Sequence, residues 1–377
     1  MKTGVSMLPI YLDYAATTPL SSECIAAAKP FYKDVFFNPS SQHALGQKAS
    51  VAVEAAREAC AAAINARPSE IYFTSGGTEA INWAIRSISK GKNHIVVSAI
   101  EHDAVLSCAE LLEANGYEVD YVMPNALGTI TEDALNKALR DDTALVCVMA
   151  VNNIVGSIQP IKELCAAAHK RGALFFTDAV QAMNGVNVDV KDWGVDMLAV
   201  SGHKFYAPKG VGFLYVKDGT NIDSFMLGGG QESGKRAGTV NVPAVVALGV
   251  AARSAQSRIK EYNEHIKTVT GEFLSALRCG EIIKCENHAD DIICVDLFRV
   301  GAATGGGRLV VALSMAGVCC SGGAACAAGS AVPPRTLVEM GVKHPDCCVR
   351  FSFGRPTTVT AARNAARIVN RTISRFG

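Results

Sequence analysis

Between about residue 70 and residue 216, short runs of β-branched and aromatic residues alternate with longer stretches whose apolar positions recur at helical spacing. The runs are Ile71–Thr74, Ile95–Ala99, Glu118–Val122, Ala144–Val151, Ala173–Thr177, Asp196–Val200 and Val211–Val216. Strands alternating with helices predict an α/β fold: one seven-stranded, mostly parallel sheet with helices on both faces. Only SGHKFYAPKG separates the last two runs. That is too short for a helical crossover, so this pair is expected to be antiparallel.

Upstream, His43–Ala66 reads as an alanine-rich helix with Arg67-Pro68 as its stop. Downstream, the loop from Leu227 through Asn241 leads into a long helix from Pro243. The remainder reads as a smaller α+β unit: strand DIICVDLF, helix RLVVALSMAG, a Gly/Ala/Ser/Cys loop, strand VRFSFG and an amphipathic helix from Thr357. The expected division is a large domain over 16–250 and a small domain built from 1–15 and 251–377.

Composition narrows the class. Nearly half of the 377 residues are hydrophobic (49%), 34 are glycine and 19% are charged, as in a well-buried globular enzyme. The net charge of +1 supplies no argument for a nucleic-acid or membrane partner, and the sequence is read as carrying neither a basic stripe nor a run of like charges anywhere. The 13 cysteines are odd in number and irregularly spaced, with adjacent pairs at Cys319-Cys320 and Cys347-Cys348, unlike a secreted disulfide framework. No apolar run reaches membrane-spanning length, and the N-terminus lacks a signal-like segment, so a cytoplasmic location is expected.

Candidate chemistry lies at the strand ends, the edge where open α/β sheets bind ligands. Four strands end in polar residues of different kinds: His102, Asn153, Asp178 and His203-Lys204. A fifth runs into Ser75-Gly76-Gly77-Thr78-Glu79 and then a helix, so backbone N–H groups and a helix N-terminus face the same edge as an anion cradle. Taken singly, each has an ordinary reading: Lys204 a solvated charge, Asp178 a helix cap, His102 a structural histidine, SGGTEA a plain turn. Together they match the needs of pyridoxal 5'-phosphate: a phosphate nest, a lysine for its aldehyde, a carboxylate for the ring nitrogen and a flat side chain for stacking.

At these residues the chain resembles the cysteine desulfurases of the class V aminotransferase group, fold type I of the pyridoxal phosphate enzymes. The resemblance runs through YLDYAATTP, NPSSQH, FTSGGTEAIN, Glu101-His102, VNN, TDAVQ, SGHKFYAPKGVG, GGGQE-x-G-x-R-x-GT and RFSFGR. It implies Lys204 as the cofactor lysine, Asp178 at the ring nitrogen, Asn153 and Gln181 at the ring oxygen, and His102 stacked on the ring and aiding proton transfer. It places the phosphate with Gly77, Thr78, Ser201 and His203. Thr239 would reach the phosphate of a neighbouring subunit in a homodimer, and Arg350 would bind the carboxylate of L-cysteine. Cys326, in the loop SGGAACAAGSAVPP, is in register with the family cysteine that takes the substrate sulfur as a persulfide and passes it to an acceptor protein such as an iron–sulfur scaffold. Cys319 and Cys320 remain alternatives for that thiol.

Several family positions differ. Ile154 stands where VNN is normally followed by glutamate, Phe37 where a glycine precedes NPS, and Cys294 lies in a strand that normally carries asparagine. Gly306-Gly307-Arg308-Leu309 replaces G-E-x-L, and alanines flank Cys326. The cofactor set is untouched. The expected activity is conversion of L-cysteine to alanine with sulfur captured on Cys326 and no metal involved. The alternatives are another reaction on the same scaffold (selenocysteine lyase, cystine lyase, aminotransferase) or a non-catalytic sulfur-transfer scaffold.

Overall fold

In the computed structural model, residues 9–87, 91–298, 305–322 and 332–375 are described. The first described element is β1 (Ile10–Tyr11), and the seven predicted strands follow as β2 (Ile71–Thr74), β3 (His94–Ser98), β4 (Glu118–Val122), β5 (Thr143–Cys147), β6 (Leu174–Asp178), β7 (Met197–Ser201) and β8 (Gly212–Val216). They form one sheet in the order β2-β8-β7-β6-β5-β3-β4. All neighbours are parallel except β8, which runs antiparallel to both β7 and β2. The short β7–β8 link does reverse the chain, as its length requires.

Strands β3, β5, β7 and β8 are buried at every position, which explains their nearly continuous hydrophobic runs. Helices Gly77–Arg86 and Asp103–Ala114 pack Ile81, Trp83, Val105 and Leu112 on one face. Helices Ala44–Ala63, Ile161–Lys170 and Val242–Ser257 cover the other with Val53, Leu164, Val245 and Leu248. This second core runs on to Ala255.

A third core, from Tyr262 to Phe273 with Leu309, Phe351 and Val369, begins beyond it and also takes in Leu12. Its strands are β9 (Glu281–Ile282), β10 (Ile292–Asp296), β11 (Val318–Cys319) and β12 (Cys348–Ser352). Strand β1 pairs with β11, and β12 pairs antiparallel with β10. The N-terminal segment is thereby tied to the unit formed by the end of the chain.

Two boundaries and one charge expectation are corrected. The helix expected over His43–Ala66 ends at Ala63, because Asn65 turns into the left-handed region (φ 57°) before the proline is reached. The strand expected to reach Val151 is regular only to Cys147, although Val148 and Ala150 still donate to the carbonyls of Phe176 and Asp178. A basic stripe does exist: Arg363, Arg367 and Arg371 stand one turn apart on the exposed face of helix Val359–Ile373, which contains no acidic residue. Its spacing hides it from a search for contiguous charge. No helix among the described residues is long and apolar enough to cross a membrane.

Candidate active site

The ends of β2, β3, β5, β6 and β7 open into a cavity of about 260 Å³ lined by Gly77, Thr78, His102, Asn153, Asp178, Gln181, Ser201, His203, Lys204 and Arg350. Ten predicted site residues, far apart in sequence, meet there. Two do not. Thr239 is exposed on the loop after β8 and does not line the cavity, and Cys326 lies outside the described residues.

The anion cradle follows from glycine geometry. Helix Gly77–Arg86 starts at Gly76 (φ 152°) with no side-chain cap, so its first N–H groups are left for another acceptor. A Cβ on Gly77 would lie 2.8 Å from Val180 Cγ2, and one on Gly212 2.3 Å from the Val200 carbonyl oxygen and 2.9 Å from Gly76 Cα. Only glycines let these backbones close up around Ser201. The His203 ring contacts the Thr17 hydroxyl at 3.1 Å. Burial, together with the charges of Lys204 and Lys209, pushes its pKa down to about 4, so the ring is neutral near pH 7.

Lys204 is aimed by the N-terminal segment. Its Nζ donates to the carbonyls of Ala15 (2.6 Å) and Ala16 (3.0 Å), and Gln181 Nε2 donates to the same Ala15 oxygen at 2.9 Å. Thr18 locks the segment in place: its hydroxyl donates to the His203 carbonyl and accepts the Tyr206 N–H. The YLDYAATTP motif therefore acts through two backbone carbonyls that no side-chain reading would single out.

Asp178 is 4% exposed. Burial pushes its carboxyl up against the opposing pull of His102 and Lys204, and Oδ1 accepts the Val180 N–H at 2.8 Å. It caps no helix; it turns the backbone locally, with its charge set inside the cavity. His102 does cap one, Nδ1 accepting the Ala104 N–H at 3.0 Å, which fixes the ring at the cavity wall. The structural and functional readings of His102 are thus compatible.

Arg350 is 2% exposed. Nη2 donates to Asp13 at 2.8 Å and Nη1 to the Asn153 carbonyl at 2.7 Å, while Nε is buried without a partner among the described residues. The motif Glu232-x3-Arg236 proves structural: Arg57 holds Glu232 through two bonds of 2.8 and 2.9 Å, Phe73 N–H adds a third contact, and Arg236 pairs with Glu79 at 2.7 Å. These pairs anchor the Thr239 loop to β2 and to the cradle helix.

Sequence reading missed Glu101, Met149, Arg335 and Thr336, all of which line the cavity. Glu101 was visible within its motif but carried no role. The alternative nucleophiles fare poorly: neither Cys319 nor Cys320 lines the cavity, and burial pushes the Cys320 thiol far above its usual range, away from the reactive thiolate. No cluster of three or more metal-ligating side chains is found among the described residues.

The aminotransferase class-V family pattern matches residues 10–362. The chain belongs to that family. Its relatives place it among the cysteine desulfurases: it is 39% identical over 360 residues to cysteine desulfurase IscS of Clostridium botulinum, covering 93% of this chain and 90% of that protein. The IscS of Methanosarcina thermophila is 39% identical over 356 residues, covering 93% and 88%. Among solved structures, a NifS-like protein superposes with a TM-score of 0.91 at 31% identity, covering 97% of this chain and all of that one (100%). SspA in complex with cysteine gives 0.81 at 33% identity, covering 92% and 99%. Members of this family generally depend on pyridoxal phosphate.

Proposed function

We propose that this chain is a pyridoxal phosphate-dependent cysteine desulfurase that takes sulfur from L-cysteine onto Cys326 and releases alanine. The observation that carries this reading is the convergence of Lys204, buried Asp178, His102 and the uncapped Gly77 helix end on one cavity. The residues fit the cofactor: a backbone cradle only glycine allows, a buried carboxylate suited to a ring N–H, and an amine held beside it. When bound, the cofactor supplies an electron sink for the substrate α-carbon.

The chain's own residues supply the rest. Gly77, Thr78, Ser201 and neutral His203 hold the phosphate, Asn153 and Gln181 meet the ring oxygen, and His102 covers the ring. Arg350 receives the substrate carboxylate, which gives its Nε, without a partner among the described residues, an acceptor. His102 or Lys204 moves the proton at the substrate α-carbon. Cys326 thiolate attacks the substrate sulfur, the carbon–sulfur bond breaks, and sulfur stays on the enzyme as a persulfide for an acceptor protein.

The neighbourhood of Cys326 supports that assignment. On one side Ser321 exchanges backbone hydrogen bonds with Arg350; on the other Pro334, Arg335 and Thr336 line the cavity. The described residues that precede and follow the Cys326 segment therefore both lie at the site. A large unit over 16–250 carries the cofactor cradle, and a small unit from 1–15 and 251–377 carries Arg350 and Cys326. Homodimerisation is supported by exposed Thr239 and by Leu227 on the same loop, an apolar side chain 87% exposed.

The test is alanine and sulfide formation from L-cysteine with a thiol reductant. Wild type should turn over, Lys204→Ala should be inactive, and Cys326→Ala should lose sulfide release. Full activity in Cys326→Ala would replace the persulfide reading with a lyase that needs no thiol.

A further inference from the structure

One buried acid in the cavity has no task in the reaction as proposed. Glu101 is 6% exposed. Its Oε1 accepts the Met149 N–H at 2.6 Å, while Oε2 is buried with no hydrogen-bond partner among the described residues. The next residue, Ala150, donates its N–H to the Asp178 carbonyl oxygen at 2.8 Å. Two consecutive residues beyond β5 therefore clasp both acids to one edge of the sheet, and both acids line the same cavity.

The charges around the pair are unequal. Asp178 feels the Lys204 ammonium and lies beside His102, and both favour its ionised form. Glu101 feels the negative charge of Asp178 and has near it the uncharged Cys147 thiol; the Ser98 hydroxyl and the Met149 N–H pull the other way but do not outweigh its burial. Asp103, Arg335 and Arg350 also line the cavity, though none of them is among the main influences on Glu101, and His203, at the β7 end, is neutral. Two neighbouring carboxyls in a dry site do not both ionise, and the proton settles on the one further from positive charge.

We propose that Glu101 is the neutral, proton-holding partner of Asp178, a positioning residue that confines the site's negative charge to Asp178 while bracing the segment from Met149 to Asn153. The inference rests on the reading of the cavity as a pyridoxal phosphate site. It agrees with the effect of burial, which pushes the Glu101 carboxyl up to about 8, with the Asp178 charge adding to the rise.

The sign of the pH effect follows. Glu101 keeps its proton in the folded protein, whereas the unfolded chain releases it near about 4.3. Its contribution to stability is greatest below that value, falls as pH rises, and levels off above about 8. Glutamine copies the protonated acid: its carbonyl keeps the Met149 bond and its amide supplies a donor toward Ser98.

Urea unfolding of the full-length, cofactor-loaded protein tests this across pH, comparing wild type with Glu101→Gln. The variant's folding constant should gain on wild type by up to about tenfold per pH unit between about 5 and 8, with the bound cofactor's absorbance unchanged near neutrality. Infrared spectra of wild type across pH should show a carboxylic-acid C=O band at neutral pH that fades in alkali, a readout that needs no variant, and the band should be missing from folded Glu101→Gln. Parallel stability curves, or no protonated-acid band, would overturn the proposal. An absent cofactor band in wild type would instead overturn the functional reading on which it rests.

Discussion

Two departures from the family pattern belong to one buried cluster, and substituting one of them alone should be costly. Ile154 is 5% exposed and packs in a small cluster with Val155, Cys294, Leu337, Met340 and Cys348. Ile154→Glu would restore the usual family residue but place a carboxyl in this cluster, where Ile154 also forms part of the cavity wall. Loss of the isoleucine burial costs about 2 kcal/mol, and an unsatisfied buried polar group adds about 1–3 kcal/mol. The single variant is therefore expected to lose about 3–5 kcal/mol. Cys294→Asn, at the other departure, supplies an amide able to donate to the new carboxyl. The double variant should recover at least about 1 kcal/mol relative to the sum of the singles. Urea midpoints for all four proteins, measured with cofactor bound at neutral pH, complete the cycle. An Ile154→Glu protein within about 1 kcal/mol of wild type, or strictly additive singles, would refute the view that these positions changed as one packed unit.

Arg57→Ala strands the buried Glu232 carboxylate, which is 4% exposed, and should cost about 3–5 kcal/mol in urea unfolding; a cost below about 1 kcal/mol would show that the pair is not a structural anchor. Gly77→Ala forces a methyl to within 2.8 Å of Val180, and about 1–3 kcal/mol of overpacking should weaken pyridoxal phosphate binding, measured by absorbance titration, by about tenfold or more. His203 has its pKa depressed to about 4, so the unfolded chain takes up the proton first as pH falls; stability is lost between about 6.5 and 4. His203→Gln should flatten that part of the acid limb, and an unchanged limb would show that the ring is not held neutral.

Much of this protein was legible along the chain because its central strands are buried on both faces and so appear as uninterrupted apolar runs. The β7–β8 reversal was readable from loop length alone. His102, Asn153, Asp178 and Lys204 were readable because strand ends place them at one edge. Glu101 was less so: beside His102 it looks like any acid near a helix start, and only its burial against Met149 marks it out. The arginine row on the last helix was missed because a period of four residues separates charges that the helix aligns.

What the sequence determined by itself is the order of strands and helices, the glycines that must sit in tight backbone and the kinds of side chain delivered to the sheet edge. These depend on local periodicity and on sterics within a few residues. The tertiary structure alone decided which distant groups face each other: Ala15 and Ala16 carbonyls on Lys204, Asp13 on Arg350, Glu232 on Arg57, and Ile154 against Cys294. It also decided which groups lose water, and therefore which acid keeps its proton. Those outcomes depend on contacts between segments up to 337 residues apart, where desolvation and pairing are set by packing and no local pattern encodes them.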